Sequence, residues 1–150
     1  MKTIQTEILI DAPPEAVWSV LTQFETYPAW NPFIVNIQGA RTEGGRLDVL
    51  LHPPGGSAMT FRPMILRWNE NQELRWKGKL LVPVLFDGAH YFCIEKSANG
   101  KSRFLHGEKF SGVLVPLLWK SLEPKTRAGF DAMNRALKTV VESQIFLGDS

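Results

Sequence analysis

The chain changes its hydrophobic period once, and that change limits the folds open to it. Phe130, Met133, Leu137, Val140 and Val141 recur at i, i+3, i+4 and i+7 spacing, while Arg127, Asp131, Arg135, Lys138 and Glu142 occupy the rest of the circumference. This is a long amphipathic helix, and everything between it and the first 30 residues reads as strand. A lone helix of this kind buries its stripe only against a sheet. Pro124 either opens this helix or kinks a longer one that begins near Pro116; an opening at Glu123–Lys125 is preferred, because an interior proline costs about 3 kcal/mol.

Upstream, Thr3–Ile10 alternates and gives a first strand. Pro13 and Pro14 suit the first turn of a helix that runs through Val17, Trp18 and Leu21. A second short helix or turn covers Phe24–Trp30 and stops before Pro32. Six strands are expected next: Phe33–Gln38, Arg46–His52, Ala58–Trp68, Gln72–Leu80, Gly88–Lys96 and Ser102–Ser111. Turn residues separate them at 43–45, 53–56, 69–71 and 99–100. Consecutive strands with short connections form an antiparallel meander, and the helix lies on its concave face. Between helix and sheet is a gap that either side chains or a ligand must fill.

The last hairpin carries the chemistry. Its strands place His90, His106 and Glu108 among Phe92, Ile94, Phe104 and Phe110. Burying a polar group unpaired costs about 1–3 kcal/mol in proteins, and a charge costs far more. A two-residue Asn99-Gly100 turn would turn the second strand's aromatics away from those of the first. A three-residue loop, Ala98-Asn99-Gly100 with Gly100 left-handed, brings both sets inside. Burial of four apolar side chains at about 1.5–3 kcal/mol each outweighs the preference among turns. The expected register sets His90 opposite Glu108 and His106 opposite Phe92.

Composition excludes several functions. Of 150 residues, expected to form a single domain, 44% are hydrophobic and 21% charged, with a net charge of +2 and no basic stripe, so nucleic-acid binding by charge is not expected. Single Cys93 allows no intrachain disulfide and reads as a small strand residue. No apolar run approaches the roughly 20 residues a bilayer requires, and the N-terminus is no signal peptide, so the expected location is cytoplasmic. Histidine spacing matches no zinc motif, and neither a metal nor a cofactor is expected. His52, beside Pro53-Pro54, looks like a surface residue.

Ile-Asp-Ala-Pro-Pro-Glu-Ala-Val-Trp (10–18), Trp-Asn-Pro-Phe (30–33), Leu-Arg-Trp-Lys-Gly (74–78), Gly-x-His-x-Phe (88–92) and His-Gly-Glu-Lys-Phe-Ser-Gly (106–112) stand in an order and spacing that resembles the SRPBCC, or START-like, superfamily. Within it the chain is similar to the bacterial polyketide cyclase/dehydrase-like group, from about Thr3 to Ser143. The resemblance implies an α+β helix-grip fold: a seven-stranded curved antiparallel sheet clasping a long C-terminal helix, with two small helices after the first strand. It also implies a cavity for a lipid, polyketide or aromatic metabolite, although fold alone does not choose among them.

Trp76 shares an inward face with Leu74, and Phe130, Met133 and Leu137 lie on the helical stripe. Each can be plain core. As a set, Trp76, His90, Phe92, His106, Glu108, Phe110, Phe130, Met133 and Leu137 are the expected lining of a mostly apolar ligand site. His90 and Glu108 are the candidates for acid/base chemistry in an enzyme of cyclase, dehydratase or hydrolase type. Orientation of a ligand is the preferred role for the pair, because ionisable networks also form without catalysis. Two apolar segments, Leu80–Phe86 and Val113–Trp119, are expected to be loops at one end, serving as cavity entrance, as a homodimer contact, or as the binding surface of a protein-interaction module that resembles the co-chaperone branch of the superfamily. Trp30-Asn31-Pro32-Phe33 anchors a corner under the helices, or Asn31 reaches the cavity end.

Overall fold

The computed structural model describes residues 1–79 and 87–148. Strand β1 (Lys2–Ile10) leads through the Asp11–Pro13 turn into α1 (Pro14–Thr22), where Pro14 takes the first helical position as its missing N–H allows. A 3-10 turn (Phe24–Thr26) and the four-residue α2 (Tyr27–Trp30) follow. Next come β2 (Ile34–Gly39), β3 (Leu47–Leu51), β4 (Met59–Phe61), β5 (Met64–Asn69), β6 (Glu73–Lys79), β7 (Asp87–Lys96), β8 (Ser102–Ser111) and α3 (Val115–Gly148).

The expected helix-grip architecture is present, with eight strands rather than seven. The expected Ala58–Trp68 strand breaks at Arg62-Pro63, because proline cannot donate to the ladder. The strands form a five-stranded section, β1-β8-β7-β6-β5, and a three-stranded section, β2-β3-β4. A bridge between Arg46 and Met64 joins the two, supported by Leu47 N–H donating to the Pro63 carbonyl (3.0 Å). Leu66, where β5 shifts register against β6, is exposed.

Helix α3 also differs from expectation. It starts at Val115, not at Glu123–Lys125, and holds Pro124 in its interior. The cost of about 3 kcal/mol is offset by packing that the upstream turns provide. Val115 is buried, and Leu114, Trp119 and Leu122 pack partly against the core. The segment from Val115 to Trp119 is therefore helical rather than a loop, and Pro116 sits in its first turn where no donor is needed. The other expected apolar loop, Leu80–Phe86, lies outside the described residues.

Downstream of Gly129, α3 presents Phe130, Met133, Leu137 and Val141 to the sheet, each no more than 1% exposed. Gly129 lets the helix approach closely, since a Cβ there would lie 2.4 Å from the Phe33 ring. On its flank, the Lys138 ammonium donates to the Leu9 carbonyl (3.0 Å) and Arg127 to the Gln5 carbonyl (3.4 Å), both on the side of β1 that faces away from β8.

Candidate functional site

The β7–β8 hairpin has the register expected from its burial pattern. His90 lies opposite Glu108 and Phe92 opposite His106. Ser97 N–H donates to the Lys101 carbonyl (2.8 Å) and closes a loop of Ala98, Asn99 and Gly100. Gly100 is left-handed (φ 74°), and Asn99 takes the same conformation (φ 62°), which asparagine tolerates better than most residues.

The inward polar groups of this hairpin form one chain of hydrogen bonds. Glu108 Oε1 lies 3.1 Å from His90 Nδ1, and His90 Nε2 lies 2.7 Å from His106 Nε2. His106 Nδ1 is 2.9 Å from Asn134 Oδ1 on α3, and Asn134 Nδ2 donates to Thr6 Oγ1 on β1 (2.8 Å). Thr6 Oγ1 in turn donates to the His106 carbonyl (3.0 Å). Each polar side chain of this network is thereby partnered, as burial demands.

That connectivity fixes the protons. An amide oxygen only accepts, so His106 carries its proton on Nδ1 and offers the Nε2 lone pair. His90 then donates from Nε2, and its Nδ1 must accept from a protonated Glu108 if the imidazole is neutral. Burial among apolar rings favours that neutral arrangement. His90 stacks on Trp76 (centroids 5.2 Å apart, 21° between planes), and His106 on Phe130 (4.1 Å, 16°). Burial drives the His90 pKa down to about 3 and the Glu108 pKa up to about 8. Burial likewise pushes His106 well below its ordinary value, the neighbouring His90 adds to this, and the Asn134 hydrogen bond opposes it. At pH 7 the pair is an uncharged acid donating to an uncharged imidazole. Glu108 Oε2 rests where a Cβ on Gly88 would be, 2.0 Å away, so Gly88 makes room for the carboxyl.

A cavity of about 320 Å³ opens where the core ends. Phe33, Leu51, Phe61 and Phe110 line it from the sheet side, and Leu118 and Leu122 from α3. Its polar wall includes Glu108, Ser57, Ser121, Lys125 and Thr126.

Of the nine residues expected to line a ligand site, Glu108 and Phe110 face this cavity. His90 and His106 stand behind Glu108 in the hydrogen-bonded chain. Trp76, Phe92, Phe130, Met133 and Leu137 are fully packed in the core. His52 is exposed, and Cys93 is a half-buried strand residue. Asn31 is buried, with Oδ1 accepting from the Phe33 and Ile34 amides (3.0 and 2.9 Å), so it caps the corner instead of reaching into the cavity.

Sequence inspection missed Asn134 and the α3 face of the cavity. Asn134 stands four residues after Phe130, a polar residue on an apolar stripe, which is the same signal the hairpin histidines gave. Leu118, Ser121, Leu122, Lys125 and Thr126 share one helical face, which becomes visible only once the helix extends upstream of Pro124. Among the described residues no group of three or more His, Cys, Asp or Glu could hold a metal ion, and no helix is long and apolar enough to cross a membrane.

Solved structures share this architecture. Zhui aromatase/cyclase from Streptomyces sp. R1128 matches with a TM-score of 0.78 at 12% identity, covering 96% of this chain and 95% of that one. A protein from Thermus thermophilus matches at 0.75 and 13% identity, covering 95% and 99%. The di-domain aromatase/cyclase BexL of the BE-7585A biosynthetic pathway matches at 0.71 and 12% identity over 92% of this chain; the chain spans about half of that protein, 47% of its length. Identities this low show a shared fold. No curated protein sequence matches the chain. Residues 1–142 match the family described as polyketide cyclase / dehydrase and lipid transport, and the chain belongs to that family.

Proposed function

We propose that the chain binds a small hydrophobic molecule, a lipid, polyketide or aromatic metabolite, in the cavity between α3 and the sheet. The observation that carries this reading is an apolar cavity of about 320 Å³ with one neutral carboxyl, Glu108, built into its wall. That volume lies within the usual range for small-molecule sites, about 300–1,000 Å³. Glu108 Oε2 makes no hydrogen bond among the described residues and is the acceptor available to a ligand hydroxyl. The chain from His90 to Thr6 holds that carboxyl in place, so its role is to orient the bound molecule. Native mass spectrometry of the purified protein, with displacement of the uncharged dye Nile red, tests this. A co-purifying small molecule or displaceable dye binding is expected, and Leu122→Trp, which fills the cavity, should abolish it. A protein without a bound mass that also fails to bind the dye would refute the reading.

A second reading has one observation in its favour. Glu108 keeps its proton at neutral pH and faces the cavity, so it serves as a general acid once a substrate takes that proton in place of His90 Nδ1. In a cyclase or dehydratase of this kind, Glu108 would meet the substrate and His90 would hold its proton in position. Glu108→Gln separates the two readings. It keeps the hydrogen bond to His90 and so preserves binding, but it removes any turnover that uses the acid.

A further inference from the structure

The cavity wall is not evenly polar. Its α3 face carries Leu118, Ser121, Leu122, Lys125 and Thr126 at i, i+3, i+4, i+7 and i+8, so a stripe that is pure core beyond Gly129 becomes amphiphilic here. Lys125 is the one cation in the described wall. Its ammonium makes no ion pair or hydrogen bond among the described residues, whereas the nearest acid on the helix, Glu123, is held by Arg127 (2.6 Å). Thr126 beside it is 8% exposed, lines the cavity and has no partner for its hydroxyl among the described residues. That hydroxyl opens on the cavity and is free to donate to a ligand oxygen. The only carboxyl in the described wall, Glu108, donates its proton to His90 and brings no competing negative charge.

We infer that the ligand is a hydrophobic carboxylic acid, bound as the anion with its carboxylate at Lys125 and Thr126 and its apolar body toward Phe61 and Phe110. The inference rests on the ligand-binding reading above. An anion leaves water for an apolar wall only when it is paired. Lys125, exposed at the mouth, can pair with it while its ammonium stays hydrated. A neutral ligand can accept from Thr126 but gains no ion pair with Lys125. The small volume selects a compact body, either fused rings or a medium chain, and both present the same head group.

Isothermal titration of the full chain at pH 7.5 tests this with two matched pairs: 2-naphthoic acid against 2-naphthalenemethanol, and octanoic acid against 1-octanol. At least one acid should bind about tenfold or more tighter than its alcohol, as a charge-assisted hydrogen bond predicts. Lys125→Met should erase that preference and leave alcohol binding intact. Lys125→Arg should keep it, and Thr126→Val should reduce it several-fold. Preference for an acid identifies the body as ring or chain according to which pair shows it. Equal affinity for acid and alcohol, or a preference that survives Lys125→Met, overturns the inference while the cavity reading stands. If none of the four compounds binds and Nile red does not bind either, the cavity reading fails, and this inference with it.

Discussion

Replacing Glu108 by Gln tests whether the cavity acid is neutral. The glutamine amide donates to His90 Nδ1 as the protonated acid does, and it does not titrate. In the folded protein Glu108 holds its proton up to about pH 8, against an ordinary value of 4.5 in the unfolded chain. A folded pKa raised in this way makes the unfolded state lose its proton first. Stability is therefore highest below 4.5, falls as pH rises and levels off above 8. Each pH unit in that window is worth about 1.4 kcal/mol. By pH 6 the loss is about 2 kcal/mol, from the 1.5 units above 4.5, and by pH 9 it saturates near 5 kcal/mol, from the full 3.5 units. Wild type should thus lose about 3 kcal/mol relative to Glu108→Gln between pH 6 and pH 9. The histidines are common to both proteins, so their own titration cancels in the difference. Urea unfolding followed by fluorescence of the five tryptophans measures the gap. A gap that stays constant with pH would show that Glu108 is ionised in the folded state, and the proton assignment of the whole chain would fail with it.

Asn134→Leu should cost about 1–3 kcal/mol, because it strands the His106 Nδ1 donor in the core, while Thr6 keeps its bond to the His106 carbonyl; a neutral result in urea unfolding would mean water replaces the amide. Gly129→Ala should destabilise despite the roughly 1 kcal/mol gain in helix propensity, since the new Cβ meets the Phe33 ring at 2.4 Å; a higher melting temperature would refute the close approach. Pro124→Ala should stabilise by up to about 3 kcal/mol, because the position is exposed and interior to α3. A shift in melting temperature checks it, and no shift would indicate that the helix starts after this residue.

Much of the fold could be read from period and turn chemistry. Alternation located the strands, and the need to hide Phe92, Ile94, Phe104 and Phe110 on one face chose the register that the hairpin adopts. Two prolines account for the misreadings. At Pro63 the missing donor broke a strand that hydrophobic pattern alone had joined. At Pro124 the local penalty looked decisive, but tertiary burial of Val115 and its neighbours outweighed it. The cavity wall was hidden by that second error, because its α3 face begins upstream of the proline. His90 and His106 could be picked out as polar residues on an apolar face, but what they bond to could not. Asn134 and Thr6 are 28 and 100 residues from His106 in sequence, and only packing α3 and β1 against the hairpin brings them together.

The contacts from Lys138 and Arg127 to β1 bear on how the molecule avoids sticking to itself. β1 is a nine-residue strand at the end of its sheet section, and such an edge is a ready template for another chain. Two of its outward carbonyls, at Gln5 and Leu9, are occupied by the side chains of α3. The other section ends in β2, six residues long, and in β4, only three. The long helix therefore guards against strand addition, and conditions that loosen it should produce aggregation through β1 before the sheet itself unfolds.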